Sequence, residues 1–357
     1  MHSGLEAQAQ CIETLLASHR IPSQVLGGTV TPRWIRFQVV TRLGVRLNQV
    51  SGLSEELALS LAAPSCRVVR ENGALHIEIP RPEPASVSLL GLHRRLDDSL
   101  PGCAPVLGID EGGTPLLLNL SSPDVAHVLV CGTTGSGKTA LARSMALSLA
   151  LNNSQRLMQL LLIDPKGRGF SCLADVPHLL TRPLGNLADA VKQLAGLVDE
   201  MERRDVNGIS SPKVVVFIDE FADLLLTGGR ELVAIMARLS QRGREAGIHL
   251  VACIQKPTTA VMGSLVRANF PARLVGSVTC PEEARLAAGL AGTGAERLQG
   301  HGDFILVLKG QCTRFSAAFV SVADAQRAVR DLDPAPRALV RRPRTADTTR
   351  AADQSSG

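Results

Sequence analysis

Apolar positions recur at two kinds of spacing along the chain, and the change from one to the other divides it. Residues 5–19 carry Leu5, Ala9, Ile12, Leu15 and Leu16 at helical spacing. Gly27 and Gly28 then open an extended stretch from Thr29 to Thr41. A second helix is expected over 55–63, with Ser54 as its N-cap and Glu55 and Glu56 in the first turn, where the helix dipole favours acids. Short strands over 67–70 and 75–79, parted by the turn pair Asn72-Gly73, complete a small α+β unit. Pro80, Pro82 and Pro84 end it, and a linker with Pro101, Gly102 and Pro105 follows.

From about Val106 continuous apolar runs alternate with helical patterns, the mark of an α/β domain on a buried parallel sheet. Strands are expected at 127–131, 158–163, 213–218, 248–253, 273–278 and 304–308. Helices fit 138–151, 187–204, 229–245, 282–290 and 323–331. The expected organisation is a small α+β domain over 1–105, an α/β domain over 106–332 and a polar basic tail over 333–357. The tail's Pro, Arg, Thr and Ser content makes disorder the expectation there.

Composition narrows the function classes. With 357 residues and 45% apolar content the chain is globular. No run approaches the roughly 18 consecutive apolar residues of a membrane span, and the N-terminus lacks a basic-then-apolar signal, so a soluble, cytoplasmic protein is expected. Eight scattered cysteines without a C-x-x-C pair indicate neither a zinc site nor a disulfide framework; they read as buried small apolar residues in a reducing compartment. Of the net charge of +5, residues 334–357, with five arginines against Asp347 and Asp353, carry three, so any polyanion site in the body must be a local patch. One tryptophan, no tyrosine and eight phenylalanines leave little material for base stacking. That disfavours single-strand recognition and leaves phosphate-backbone contacts as the mode for a DNA partner.

The chemistry starts at Gly132-Thr133-Thr134-Gly135-Ser136-Gly137-Lys138-Thr139, a complete G-x-x-x-x-G-K-[ST] between an apolar run and a helical pattern. Glycines let consecutive N–H groups face a β-phosphate, Lys138 reaches the β/γ oxygens and Thr139 ligates Mg²⁺. A second apolar run, 213–218, ends in Asp219-Glu220, the Walker B arrangement: Asp219 for the metal shell, Glu220 to orient or deprotonate water. The paired acids favour hydrolysis of ATP over binding alone. Asp164 ends another run, either facing the nucleotide crevice or serving its own turn before Pro165. Gln255 ends a fourth, either as a γ-phosphate sensor or as an ordinary strand-end amide. Arg238, Arg242 and Arg244 crowd a helix C-terminus, where cations suit the dipole and an arginine finger would also sit.

These residues resemble the motor of the FtsK/SpoIIIE family. The resemblance covers roughly 10–330 and includes Cys131 to Thr139, Ile163-Asp-Pro-Lys166, Pro177-His-Leu-Leu-Thr181, Glu200-Met-Glu-Arg-Arg204, Val216 to Leu224, Ala246-Gly-Ile-His-Leu250 and Gly300-His-Gly-Asp303. In the first unit, Gly28-Thr-Val-Thr31, Gly44-Val45, the helix Leu53 to Leu61 and Ile77-Glu-Ile-Pro80 resemble the family's α domain. The resemblance implies a RecA-like P-loop NTPase domain with a mostly parallel sheet behind a small α+β domain. It implies ATP and Mg²⁺ as cofactors, double-stranded DNA as partner and a hexameric ring, with Arg244 as the finger and Gln255 as the sensor-like glutamine. Backbone contacts to the duplex are expected from Lys256 and Arg267, with Lys166 and Arg168 as further candidates.

The departures shape the expectation. The winged-helix γ domain would follow residue 330 or so, where a short polar tail stands, and the membrane-spanning region is missing. Cys280-Pro281 replaces a common lysine, and Gln255-Lys256-Pro257 keeps the charge of the family's Gln-Arg-Pro without its bidentate fork. Chromosome segregation and transfer of a mobile element are not separable on these residues, and the departures tilt the expectation toward a mobile-element or accessory role. A type VII-like secretion ATPase and a non-translocating ATPase scaffold are the alternatives, and any membrane or recombination partner is left unassigned.

Overall fold

The structure is a computed structural model that describes residues 2–42, 44–71, 73–96, 100–258 and 263–332. The tail over 333–357 and Asn72 of the expected turn lie outside the described residues.

The small unit runs α1 (His2–Ser18), β1 (Ser23–Val30), β2 (Trp34–Thr41), α2 (Leu47–Ser51), α3 (Ser54–Ser60), β3 (Arg67–Glu71) and β4 (Ala74–Pro80). Its antiparallel sheet has the order β1-β2-β4-β3. Ile12 and Leu16 of α1 pack with Phe37, Val39, Ile77 and Ile79 to form a separate core. The single extended stretch expected from Thr29 is instead a hairpin. Gly27 and Gly28 lie inside β1, beside a bulge after Val25, and Gly28 packs against Phe37, where a side chain would crowd the Arg36 carbonyl. Ser54 is the first residue of α3 rather than its cap, and its hydroxyl donates back to the Ser51 carbonyl.

The rest builds one ten-stranded sheet. Its elements are β5 (Val87–Ser88), α4 (Leu89–His93), β6 (Val106–Asp110), β7 (Pro115–Leu117), β8 (Val128–Cys131), α5 (Lys138–Asn152), β9 (Met158–Ile163), α6 (Leu187–Asn207), β10 (Lys213–Ile218), α7 (Phe221–Arg242), β11 (Ile248–Ile254), α8 (Ser264–Asn269), β12 (Ala272–Val275), α9 (Pro281–Ala288), β13 (Asp303–Leu308), β14 (Gln311–Phe319) and α10 (Val322–Arg330). The order is β7-β6-β14-β13-β12-β8-β11-β10-β9, with β5 added on β14. The five strands from β12 to β9 are parallel, and β13, β14, β6 and β7 extend them antiparallel.

The parallel strands are buried on both faces, and alternate residues feed two cores. Val128, Val130, Val215 and Phe217 face α5 with Met145 and Leu149. Leu129, Cys131, Val214, Val216 and Ile218 join α6 and α7 through Leu194, Met201 and Met236 on the other side. Helix α7 starts at Phe221, eight residues before the expected 229, and passes through a break at Gly229 (φ 60°, ψ −153°). The linker contributes β5 and α4 to this sheet, an element pair the proline-rich sequence did not announce. The eight cysteines are free; Cys103, Cys131, Cys172 and Cys253 are buried, whereas Cys312 is exposed. Among the described residues no helix is long and apolar enough to cross a membrane.

Candidate active site

All five parallel strands deliver their C-terminal ends to one edge, and the candidate residues gather there because of it. After β8 the chain turns through Gly132 and Gly137, with φ of 153° and 101°, before α5 opens at Lys138. A side chain at Gly137 would come within 3.0 Å of the Gly302 nitrogen, and one at Gly132 within 3.2 Å of the Gly276 Cα. Thr133 anchors the loop by donating its N–H and hydroxyl to the Ser277 carbonyl, at 2.8 and 3.0 Å. The Thr133 carbonyl in turn accepts the Ser136 N–H at 3.2 Å, the Ser136 hydroxyl at 2.8 Å and the Lys138 ammonium at 3.0 Å. Burial pushes the Lys138 pKa down, while the Asp219 and Glu220 carboxylates oppose that shift. A helix N-terminus behind a loop of free N–H groups is a ready anion site.

Asp219 and Glu220 follow β10 directly. The buried Asp219 carboxylate accepts the Thr139 hydroxyl at 2.8 Å and the Glu220 N–H at 3.1 Å. Burial pushes its pKa up, the Thr139 hydrogen bond pulls it down, and the charges of Glu220 and Asp164 push it further up. Glu220 takes a left-handed backbone (φ 52°) at the head of α7, and its Oε1 lies 2.7 Å from the Lys166 ammonium.

Asp164 decides between its two readings in favour of the turn. Its oxygens accept the N–H groups of Lys166, Gly167, Gly169 and Phe170 at 2.6 to 3.3 Å, so its carboxylate is spent on shaping the loop over 165–170. That loop brings Gly169 against Thr139 and Asp219. A Cβ there would lie 2.6 Å from the Thr139 methyl and 3.3 Å from the Asp219 Oδ2. Arg143 of α5 fixes the approach by donating to the Gly169 carbonyl at 2.8 Å. Neither Arg143 nor Gly169 announces itself in the sequence, since both act through contacts made only on folding.

Gln255, just past β11, donates to the Thr134 hydroxyl of the glycine loop. Together Thr134, Lys138, Lys166, Glu220 and Gln255 line a cleft of about 520 Å³. That is within the roughly 300–1,000 Å³ of small-molecule pockets. Lys166, expected at a duplex, thus has its partner inside the cleft. Arg168, on the same loop, is exposed, as are Lys256 and Arg267.

The three arginines after α7 separate. Arg238 pairs with Glu202 and Arg242 with Asp205, both reaching back to α6. Arg244 is exposed and has no ion-pair partner among the described residues. It precedes β11, whereas Gln255 follows it, so a seven-residue strand of about 23 Å separates Arg244 from its own cleft.

A glycine loop at the C-terminal edge of a parallel sheet, facing paired acids from a neighbouring strand, defines the chain as a P-loop ATPase. The FtsK/SpoIIIE family model matches residues 98–211 and 206–259, and the FtsK alpha domain model matches 2–81. The chain belongs to the FtsK/SpoIIIE family. It is 29% identical over 359 aligned positions to the DNA translocase FtsK of Staphylococcus epidermidis, covering 91% of this chain and 44% of that protein. With the DNA translocase FtsK of Streptococcus pneumoniae the identity is 30%, over 89% of this chain and 45% of that protein. The chain therefore spans less than half the length of these relatives. Among solved structures, the pCW3 conjugation coupling protein TcpA, in a monomer form with ATPgS, superposes with a TM-score of 0.61 at 16% identity. That match covers 91% of this chain and 99% of TcpA. The cytoplasmic domain of the type VII secretion ATPase EccC of Thermomonospora curvata gives 0.59 at 22% identity, over 70% of this chain and 34% of EccC. Both likenesses are of fold.

Proposed function

We propose that this chain is the motor segment of an ATP-driven translocase of double-stranded DNA that works as a ring. The observation that carries the reading is the convergence of Lys138, Thr139 and Glu220 on one cleft, with the buried Asp219 bonded to Thr139 behind it, in a chain similar to FtsK translocases through both its units. In this reading the N–H groups of Gly135 and Gly137 and the Lys138 ammonium hold the triphosphate, and Glu220 orients the attacking water. Gln255, touching the loop through Thr134, senses the γ-phosphate. Arg244, too far from its own cleft, serves the next subunit's nucleotide in the ring.

The donor set suits Mg²⁺. The Thr139 hydroxyl and the buried Asp219 carboxylate are hard oxygens beside a phosphate-binding loop. Magnesium takes one or two carboxylates and completes its shell with phosphate and water. Among the described residues no cluster of three or more His, Cys, Asp or Glu offers a rival site. Thr139 and Asp219 would hold the ion, which would supply positive charge beside the phosphates. Lys256, Arg267 and Arg168 are exposed cations for the duplex backbone.

The test is ATP hydrolysis with and without duplex DNA, alongside Lys138→Ala and Glu220→Gln. Stimulation by duplex of any sequence, abolished by either substitution and lost steeply with salt, is the expected result. Hydrolysis indifferent to DNA but stimulated by a protein would favour the secretion reading.

A further inference from the structure

The motif Gly300-His301-Gly302-Asp303 has no part in the chemistry above, yet it lies directly under the glycine loop. Three successive residues hold positive φ: Gly300 at 71°, His301 at 48° and Gly302 at 90°. A non-glycine residue in that region is strained and persists only where its surroundings hold it. The restraints are specific. The His301 N–H donates to the Gly135 carbonyl at 3.0 Å and the Gly302 N–H to the Ser136 carbonyl at 2.9 Å, so this strap grips the phosphate loop at the wall of the cleft that His301 and Gly302 also line. The Ala317 N–H reaches the Gly302 carbonyl at 2.7 Å and ties the strap to β14.

The remaining acceptor, the His301 carbonyl, is taken by the small unit. Arg33, buried at the tip of the β1–β2 hairpin, donates its guanidinium to it across 268 residues of chain. The neighbouring Trp34 presents its ring to Arg314, 4.8 Å from the ring centre, and Arg314 clamps Asp303 at 2.9 and 2.6 Å. One hairpin tip therefore holds both the strap and the residue that follows it. Arg33 also lines the nucleotide cleft.

We propose that Arg33 is a positioning residue for the phosphate loop, acting through the His301 carbonyl so that nucleotide in the loop and docking of the small sheet stabilise one another. The proposal rests on the nucleotide-site reading above. Two sites linked through one strap bias each other reciprocally.

The experiment is MgATPγS binding by calorimetry and hydrogen exchange of peptides spanning 31–36, both on the full chain. In the unmodified chain MgATPγS should slow exchange over 31–36 by at least about fivefold. Arg33→Gln should remove that slowing and weaken MgATPγS by about tenfold, the scale of one charge-assisted hydrogen bond. Arg67→Gln serves as the control for general cohesion, because it breaks the pairs with Glu111 and Glu78 and the stacking on Trp34 without removing the Arg33 bond to the His301 carbonyl. It should keep affinity within about twofold. Equal losses in both variants would reduce Arg33 to general cohesion and overturn the proposal. So would unchanged exchange over 31–36 in an unmodified chain that binds MgATPγS, a measurement that decides even if Arg33→Gln does not fold. An unmodified chain that binds no MgATPγS would sink the nucleotide-site reading itself, and this proposal with it.

Discussion

The Lys166 ammonium lies 2.7 Å from Glu220 Oε1, so the acid proposed to prepare the attacking water is paired with a cation of the same cleft. Hydrogen bonding to Glu220 raises the Lys166 pKa, which keeps the ammonium charged. A carboxylate oxygen bonded to an ammonium is not available to orient a water. Lys166→Met is therefore expected to raise DNA-independent kcat, by no more than about fivefold because an exposed pair is worth only about 0.2–1 kcal/mol. Glu220→Gln should lower kcat by about 100-fold or more while nucleotide affinity holds. Steady-state hydrolysis by both variants checks the pair, and a fall in Lys166→Met would contradict the restraining role.

Gly169 is the closest approach of the 165–170 loop to the metal-site pair. Its backbone angle is ordinary, so the demand for glycine there is one of space. Gly169→Ala must displace Thr139 or the loop. A loss of about 1–3 kcal/mol in stability is expected, with weaker Mg-nucleotide binding. Thermal melts with and without MgADP measure both, and an unchanged melt would show that the loop yields freely.

Two buried histidines set an acid limit on the fold. The Leu250 N–H donates to His127 Nδ1 at 3.0 Å, which requires that nitrogen to carry no proton, and His249 Nδ1 meets the Ala126 carbonyl at 2.9 Å. Burial pushes His127 down to about 3 and His249 to about 4, from 6.5. Below 6.5 the unfolded chain takes up protons that the folded chain refuses. The stability present above 6.5 is then lost as pH falls toward 4, at up to about 1.4 kcal/mol per pH unit for each histidine. Urea midpoints at about pH 7 and about pH 5 should differ accordingly; equal midpoints would mean that the histidines titrate freely.

Arg244 makes the ring testable by mixing. Arg244→Ala subunits and Glu220→Gln subunits are each expected to be inactive alone. In an equal mixture about a quarter of interfaces would pair an intact Glu220 with an intact Arg244 from the neighbour, and hydrolysis should recover to that order. No recovery would remove Arg244 from the finger role.

The parallel core was legible because strands buried on both faces must be apolar throughout: 158–163 and 213–218 are the observed β9 and β10. Strand β14 was not, since its exposed and half-buried positions give no continuous apolar run. Gly27-Gly28, expected to open an extended stretch, sits inside a strand at a bulge, and the helix expected from 229 starts at Phe221 and breaks at Gly229. At the site, the loop and the Asp219-Glu220 pair could be read because their spacing is fixed by local geometry. The partners of Lys166, Gly169 and Arg33 could not, because each lies far along the chain and only the sheet's edge brings it near.

The Thr133 carbonyl, with Lys138 and Ser136 converging on it, ties the head of α5 back to its own loop. The Lys138 ammonium is held 3.0 Å from the loop backbone instead of sampling the many rotamers of a long side chain. Part of the entropy cost of ordering that side chain is therefore already met by the fold itself.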